Sequence, residues 1–174
     1  HRIDKDTSGL LVVAKNDFAH NNLAQQIKEH SFKRIYKAVL IGRFSDDEGV
    51  IDLPVGRHST NRKKMTVTLK NSKNAVTHYK ILEQFRGYSL CEFRLETGRT
   101  HQIRVHASHF GHAVAGDPLY APCEGKNPFS LIGQCLHAQT LGIVHPRSGE
   151  YMEFSAPLPE HFEKTLDILR NNYN

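Results

Sequence analysis

The chain has 174 residues, 39% of them hydrophobic and 24% charged. That is enough for one sizeable core without requiring a second domain, and too apolar for a disordered polyelectrolyte. No apolar run approaches the ~18 residues of a membrane-spanning helix, and no signal-peptide pattern is visible. The formal net charge is +5, and its placement says more than its size. Between Leu53 and Leu82 lie Arg57, Arg62, Lys63, Lys64, Lys70, Lys73 and Lys80, with no acidic residue among them. A stretch this one-sided points to a polyanionic partner such as a phosphate backbone; the plainer alternative is a solvated basic loop. The three cysteines, Cys91, Cys123 and Cys135, form no Cys-x-x-Cys pair. A disulfide framework and a cysteine zinc site are therefore not expected, and a reducing cytoplasm is.

In chain order, a Thr7-Ser8-Gly9 turn leads into Leu10 to Lys15, which reads as a strand buried on both faces. Asp17 is positioned to cap a helix carrying Ala19, Leu23 and Ile27. Lys33 to Arg43 alternates Ile35, Val39 and Ile41 against Tyr36, Ala38 and Leu40, a long strand, and Val50 to Leu53 is a short one closed by Pro54. After the basic loop, Met65, Val67 and Leu69 alternate with Thr66 and Thr68. The stretches 75–85 and 88–96 then form a hairpin around Arg86-Gly87. Thr100 is the expected cap of a helix burying Ile103, Ala107 and Phe110 and stopped by Gly111. A second hairpin spans 141–144 and 151–154, and a last helix, entered through Pro157 and Pro159, carries Phe162, Leu166 and Leu169. The sum is an α+β domain with a mostly antiparallel or mixed central sheet and a few flanking helices.

Two blocks carry the chemistry. In His1-Arg2-Ile3-Asp4-Lys5-Asp6, a carboxylate lies beside an arginine and a turn. An isolated aspartate near a turn is ordinarily solvated or capping, but a guanidinium within ~4–6 Å holds a partly buried carboxylate ionised and ready to act. Spacing alone does not separate Asp4 from Asp6. The second block, Gly98-Arg99-Thr100-His101-Gln102-Ile103-Arg104-Val105-His106, is by default an amphipathic helix with exposed cations. Two arginines in its first turns oppose the macrodipole, which calls for a nearby carboxylate or bound anion.

His101, His106, His109 and His112 cluster, but no acidic residue lies between Arg99 and Gly116 and the His-Glu-x-x-His pattern is absent. Solvated or hydrogen-bonded histidines are expected, with no metal. Phosphate-cradling glycine loops and the Gly-x-Ser-x-Gly elbow are also missing, so no nucleotide cofactor and no serine hydrolase is indicated.

The segment His1-Arg-Ile-Asp-x-x-Thr-Ser-Gly-Leu-Leu-Val-Val-Ala-Lys15 resembles the signature of RluA-type pseudouridine synthases. Lys33-Arg34-Ile35-Tyr36-Lys37-Ala38, the Gly98 to His106 block, Gly116-Asp117-x-x-Tyr120 and Leu136-His137-Ala138 agree in the same order. Departures are slight: Ile3 stands where leucine is commoner, and Ala107 follows the Val-His pair.

The resemblance implies an enzyme, without metal or cofactor, that isomerises uridine in structured rRNA or tRNA. Asp4 matches the aspartate that attacks or deprotonates the ribose so that the N-glycosidic bond breaks; the uracil then turns and rejoins through carbon. Tyr36 matches the tyrosine packed on the base, and Arg104 the arginine paired with the aspartate. Arg2 matches an arginine that enters the RNA helix where the target base has left. Arg62, Lys63, Lys64, Arg99 and His101 complete the expected RNA-binding set. It further implies one catalytic domain over 1–174 with its earlier part lying upstream, and nothing demands more than a monomer. The competing reading is a non-catalytic RNA-binding module that uses the basic stretch alone.

Overall fold

The computed structural model describes residues 1–121 and 128–173; Cys123 lies outside them. In chain order the elements are β1 (Ser8–Gly9), α1 (Asp17–Lys28), β2 (Lys33–Ile41), β3 (Glu48–Asp52), β4 (Val55–Arg57), β5 (Met65–Val67), β6 (Ser72–Lys73), β7 (Val76–Phe85), β8 (Tyr88–Leu95), α2 (Gln102–His109), β9 (Leu136–Val144), β10 (Tyr151–Ser155) and α3 (Glu160–Asn172). A seven-stranded sheet runs β1-β9-β2-β8-β7-β3, with β10 also on β9, and a small sheet runs β5-β4-β6. Only β1 lies parallel to its neighbour, so the large sheet is mixed, as expected for this α+β domain.

The period-two pattern of β2 explains its central place. Tyr36, Ala38 and Leu40 enter one core with Phe93, Leu95, Ile103 and Ala107, while Val39 faces a second with Phe162, Leu166 and Leu169. One face of the sheet is thus covered by α2 and the other by α3. Each of the three buried α3 side chains contributes on the order of 1.5–3 kcal/mol. Val55 of the small sheet, with Ala75 just before β7, packs on Val105 of α2.

Several local expectations are corrected. Leu10 to Lys15 is not a strand: only Ser8–Gly9 pairs, in register with His137 and Ala138. Beyond it, Leu11 and Val13 point to solvent at 47% and 73% exposure. Leu10, Val12 and Ala14 pack beside Leu23, Phe32, Leu141 and Ile143, so one side of that apolar run is half-buried, and the other is not covered. The pairing at β1 is close enough to demand glycine, because a Cβ on Gly9 would lie 2.1 Å from the Ala138 carbonyl oxygen and its φ is +104°.

Asn16, not Asp17, caps α1, its Oδ1 accepting from the Ala19 amide at 2.9 Å. Leu69 ends outside β5 and is 91% exposed. The cap of α2 is His101, in the left-handed region at φ 57°, and not Thr100. Here Gln102 reaches back instead, its Oε1 accepting from the Arg99 amide and the Thr97 hydroxyl, so the turn is fixed without a hydroxyl cap. Helix α2 stops as expected at Gly111. His112 N–H bonds to Ala107 and Gly111 N–H to Ser108, a Schellman ending that leaves Phe110 53% exposed rather than buried.

Candidate active site

The loop before β1 is tied to the sheet before any chemistry is considered. The Thr7 amide closes a turn on the Asp4 carbonyl at 3.1 Å. Gln134, 2% exposed, donates to the Lys5 carbonyl and the Thr7 hydroxyl. This turn separates the two acids. Asp6 takes a positive φ of 66° and packs against Gly133, whereas Asp4 lines a cavity with Arg2, Tyr36, Arg99, His101 and Arg104.

Arg104 organises that cavity. The default reading of α2 as a helix with exposed cations does not hold for Arg104, which is 3% exposed, and six of the helix's eight residues are buried. Its Nε and Nη2 grip Asp117 at 2.6 and 2.9 Å, a two-pronged pair in the interior. Asp117 is itself held by the Leu119 and Tyr120 amides. That leaves Nη1, which donates to Asp4 Oδ2 at 3.1 Å. Asp4 Oδ1 accepts no hydrogen bond among the described residues, and Asp4 lines the cavity. Burial works against Arg104's charge, but the bonds and fields of Asp117 and Asp4 outweigh it, and its pKa stands above the ordinary arginine value.

Tyr36 is 8% exposed on β2, with its hydroxyl unpaired among the described residues. Burial raises its pKa, Arg34 opposes, and Asp4 reinforces, so the phenol keeps its proton. His101 Nδ1 shares a 2.9 Å hydrogen bond with the Tyr120 hydroxyl. Burial lowers the His101 pKa against the opposing pull of Asp4, which keeps the ring neutral near pH 7. The Tyr120 hydroxyl accepts from the Met65 amide at 2.8 Å and is pushed up to about 12 by burial. Its ring carries Arg104 at 5.1 Å on one approach and the Lys64 ammonium at 5.7 Å on another.

The structure therefore brings Asp4, Tyr36, Arg104, Arg2, Arg99 and His101 around one cavity. Lys64 lies over the ring of Tyr120, which bonds to the cavity residue His101, while Arg62 and Lys63 stay exposed on the loop between β4 and β5, off the cavity wall. None of the arginines and lysines of the basic stretch has a carboxylate within ion-pairing distance among the described residues. His106 is fully buried with Nδ1 on Thr77 and Nε2 on the Leu53 carbonyl, so both nitrogens serve the fold. Among the described residues no group of three or more His, Cys, Asp or Glu side chains is placed to hold a metal. Asp117, Tyr120 and Gln134 are the residues whose site roles the sequence did not reveal. The first two belong to Gly116-Asp117-x-x-Tyr120, a segment noted only for its likeness to a family, and Gln134 carried no signal at all.

Residues 1–109 match the family model described as RNA pseudouridylate synthase. "Uncharacterized RNA pseudouridine synthase YlyB" of Bacillus subtilis (strain 168) is 53% identical over 172 residues, which is 99% of this chain and 55% of that protein. "Ribosomal large subunit pseudouridine synthase D" of Nitrosomonas europaea is 45% identical over 176 residues, covering 98% of this chain and 51% of that protein. The chain thus spans about half the length of these curated relatives. Among solved structures, "Human RNA Pseudouridylate Synthase Domain Containing 1" superposes with a TM-score of 0.80 at 29% identity, covering 98% of this chain and 78% of that one.

Proposed function

The chain belongs to the RNA pseudouridylate synthase family, and from that premise we propose that it carries the catalytic centre of an enzyme converting uridine to pseudouridine at defined sites in structured rRNA or tRNA. The observation that supports this best is the fixed carboxylate: Asp4 held 3.1 Å from a buried Arg104, on the wall of a cavity that Tyr36 also lines.

The reaction moves the ribose C1′ bond from N1 to C5 of the same uracil. Asp4 attacks the sugar or removes a proton from it, the N-glycosidic bond breaks, and the uracil turns and rejoins through C5. The C5 proton is lost and N1 ends with a proton, so the overall change is an isomerisation with no oxidant, hydride or water consumed. Arg104 keeps the carboxylate ionised and aimed. Neutral Tyr36, rigid on its strand, forms a wall against the ring. A target base must leave its stack at a cost of a few kcal/mol. Arg2 entering the gap and the basic stretch along the backbone offset that cost.

The natural gene product is expected to release tritium from uridine-5-³H RNA, and Asp4→Asn to abolish the release, by about 10³-fold or more, while RNA affinity changes by less than about threefold. Parental turnover in Asp4→Asn sinks the proposal. RNA retention with no conversion by the parent favours the binding-module reading. Mapping modified uridines in total RNA with and without the intact gene identifies the target.

A further inference from the structure

Arg34 takes no part in the chemistry just described, yet it is 5% exposed and lines the same cavity as Asp4. It sits two positions before Tyr36 on β2, so the two side chains share a face of the strand. Its Nη2 donates to the Glu96 carbonyl at 2.9 Å. Its Nε is buried without an acceptor, and its Nη1 makes no hydrogen bond among the described residues. No carboxylate stands within ion-pairing distance of it there either. Arg104 is as buried and has two carboxylates. A buried guanidinium with neither counter-charge nor a full set of acceptors is costly, and a purely structural arginine would not be left so.

Two neighbours sharpen the picture. Gly98 lines the cavity beside it, and a Cβ there would lie 2.4 Å from Arg34 Nη1. The missing side chain is what lets that end of the guanidinium reach the cavity wall. Arg99 and Arg2 line the same cavity without an ion-pair partner among the described residues, and Arg99 spends its Nε on the Asn74 carbonyl. Among the described residues the one carboxylate on the cavity wall, Asp4, is already engaged by Arg104. The wall on the Arg34 side therefore carries uncompensated positive charge. A uracil edge, with neutral carbonyls, leaves that charge uncompensated, whereas a phosphodiester cancels it.

We infer that Arg34, flanked by Arg99, is a phosphate subsite whose Nη1 takes a non-bridging oxygen of a phosphodiester adjoining the target uridine, fixing that nucleotide's register in the cavity. Arg34 is a substrate-positioning residue and does not touch the reacting atoms. This rests on the pseudouridine synthase reading above.

The test uses the natural gene product and the target stem-loop identified by mapping. The phosphates 5′ and 3′ of the target uridine are replaced, one at a time, by uncharged methylphosphonate. Each RNA is turned over by the parent, Arg34→Gln and Gly98→Ala. With the parent, one of the two replacements is expected to lower kcat/KM about 10- to 100-fold, the range for a hydrogen bond to a charged group. Arg34→Gln is expected to lose a similar factor on the unmodified RNA, to lose less than about twofold more on that methylphosphonate, and to flatten the logarithmic salt slope of binding by about 0.7 to 0.9. Gly98→Ala, which keeps the charge and displaces Nη1, is expected to give a smaller loss with the same non-additivity.

Losses that multiply at both positions overturn the subsite. Should Arg34→Gln fail to fold, Arg34→Lys, which keeps the charge and loses the fork, runs the same cycle beside Gly98→Ala. A parent that converts no uridine in the RNA sinks the family reading and this inference together. A parent that converts it while the losses multiply sinks this inference alone.

Discussion

Two groups of cations meet at Tyr120, and the fold handles them in opposite ways. On one side Arg104 is buried, its guanidinium locked onto Asp117 and turned to offer a single remaining donor to Asp4. On the other, Arg57, Arg62 and Lys63 stand exposed, with Lys64 half-buried over the ring of Tyr120. The buried group is held in one orientation by Asp117 and bonds to one carboxylate of the cavity. The exposed group is held by no carboxylate among the described residues and, on the proposed function, would act on a charged strand as a whole. Preorganised charge bears on the chemical step; solvated charge bears on association and its salt dependence.

The sharpest way to break the contrast is Asp117→Asn. Both partners of the pair are at most 4% exposed, so removing one charge leaves the buried guanidinium with Asp4 as its single carboxylate, at a cost of up to about 3–5 kcal/mol. Urea denaturation of the variant is expected to show a destabilisation of that order. Turnover is expected to fall as well, because Arg104 is then free to swing away from Asp4. The double variant Arg104→Met with Asp117→Leu removes both charges and is expected to recover stability without recovering turnover. A single variant as stable as the parent would show that the pair does not organise the site.

Acid sharpens it next. Burial lowers the pKa of His106 and of His137, against the pull of the Leu53 and Ala156 carbonyls. Their folded values therefore lie below the unfolded value of about 6.5, and the unfolded chain binds the extra protons. The stability from keeping them neutral is complete above about pH 6.5 and is lost as pH falls from there towards the folded values, at no more than about 1.4 kcal/mol per pH unit for each histidine. Thermal melts between pH 7.5 and 5 are expected to show a falling Tm, shallower in His106→Gln. A Tm flat over that range contradicts the neutral assignment.

The same contrast marks what the sequence disclosed. Strands β2, β7 and β8 and helix α3 were legible because their cores repeat at the period of their own backbone, as Tyr36, Ala38 and Leu40 do on one face. Leu10 to Lys15 misled because an apolar run does not tell whether a neighbour exists for its second face, and only Ser8 and Gly9 find one on β9. The basic loop was legible because charge is additive along a chain. The burial of Arg104 and Arg34 was not, since it depends on partners far away in sequence. Asp117 is 13 residues from Arg104 and Asp4 is 100, while the Glu96 carbonyl is 62 from Arg34. Gln134 holds the Asp4 loop from 129 residues away. Periodicity has no term for such contacts.

The smallest effect belongs to the exposed side. Lys63→Ala and Lys64→Ala remove cations that no carboxylate neutralises among the described residues, and Lys63 has no fixed partner for its ammonium there. If each touches one phosphate, the logarithmic salt slope of RNA binding is expected to flatten by about 0.7 to 0.9 per lysine. Turnover at saturating RNA is expected to be unchanged in Lys63→Ala. In Lys64→Ala a small loss is expected, because that ammonium lies over Tyr120 and Tyr120 holds His101. A slope that does not move in either variant makes the loop a solubility feature. A turnover loss in Lys63→Ala as large as in Lys64→Ala would show that the two groups of cations are not separable, and that the exposed charges also shape the cavity.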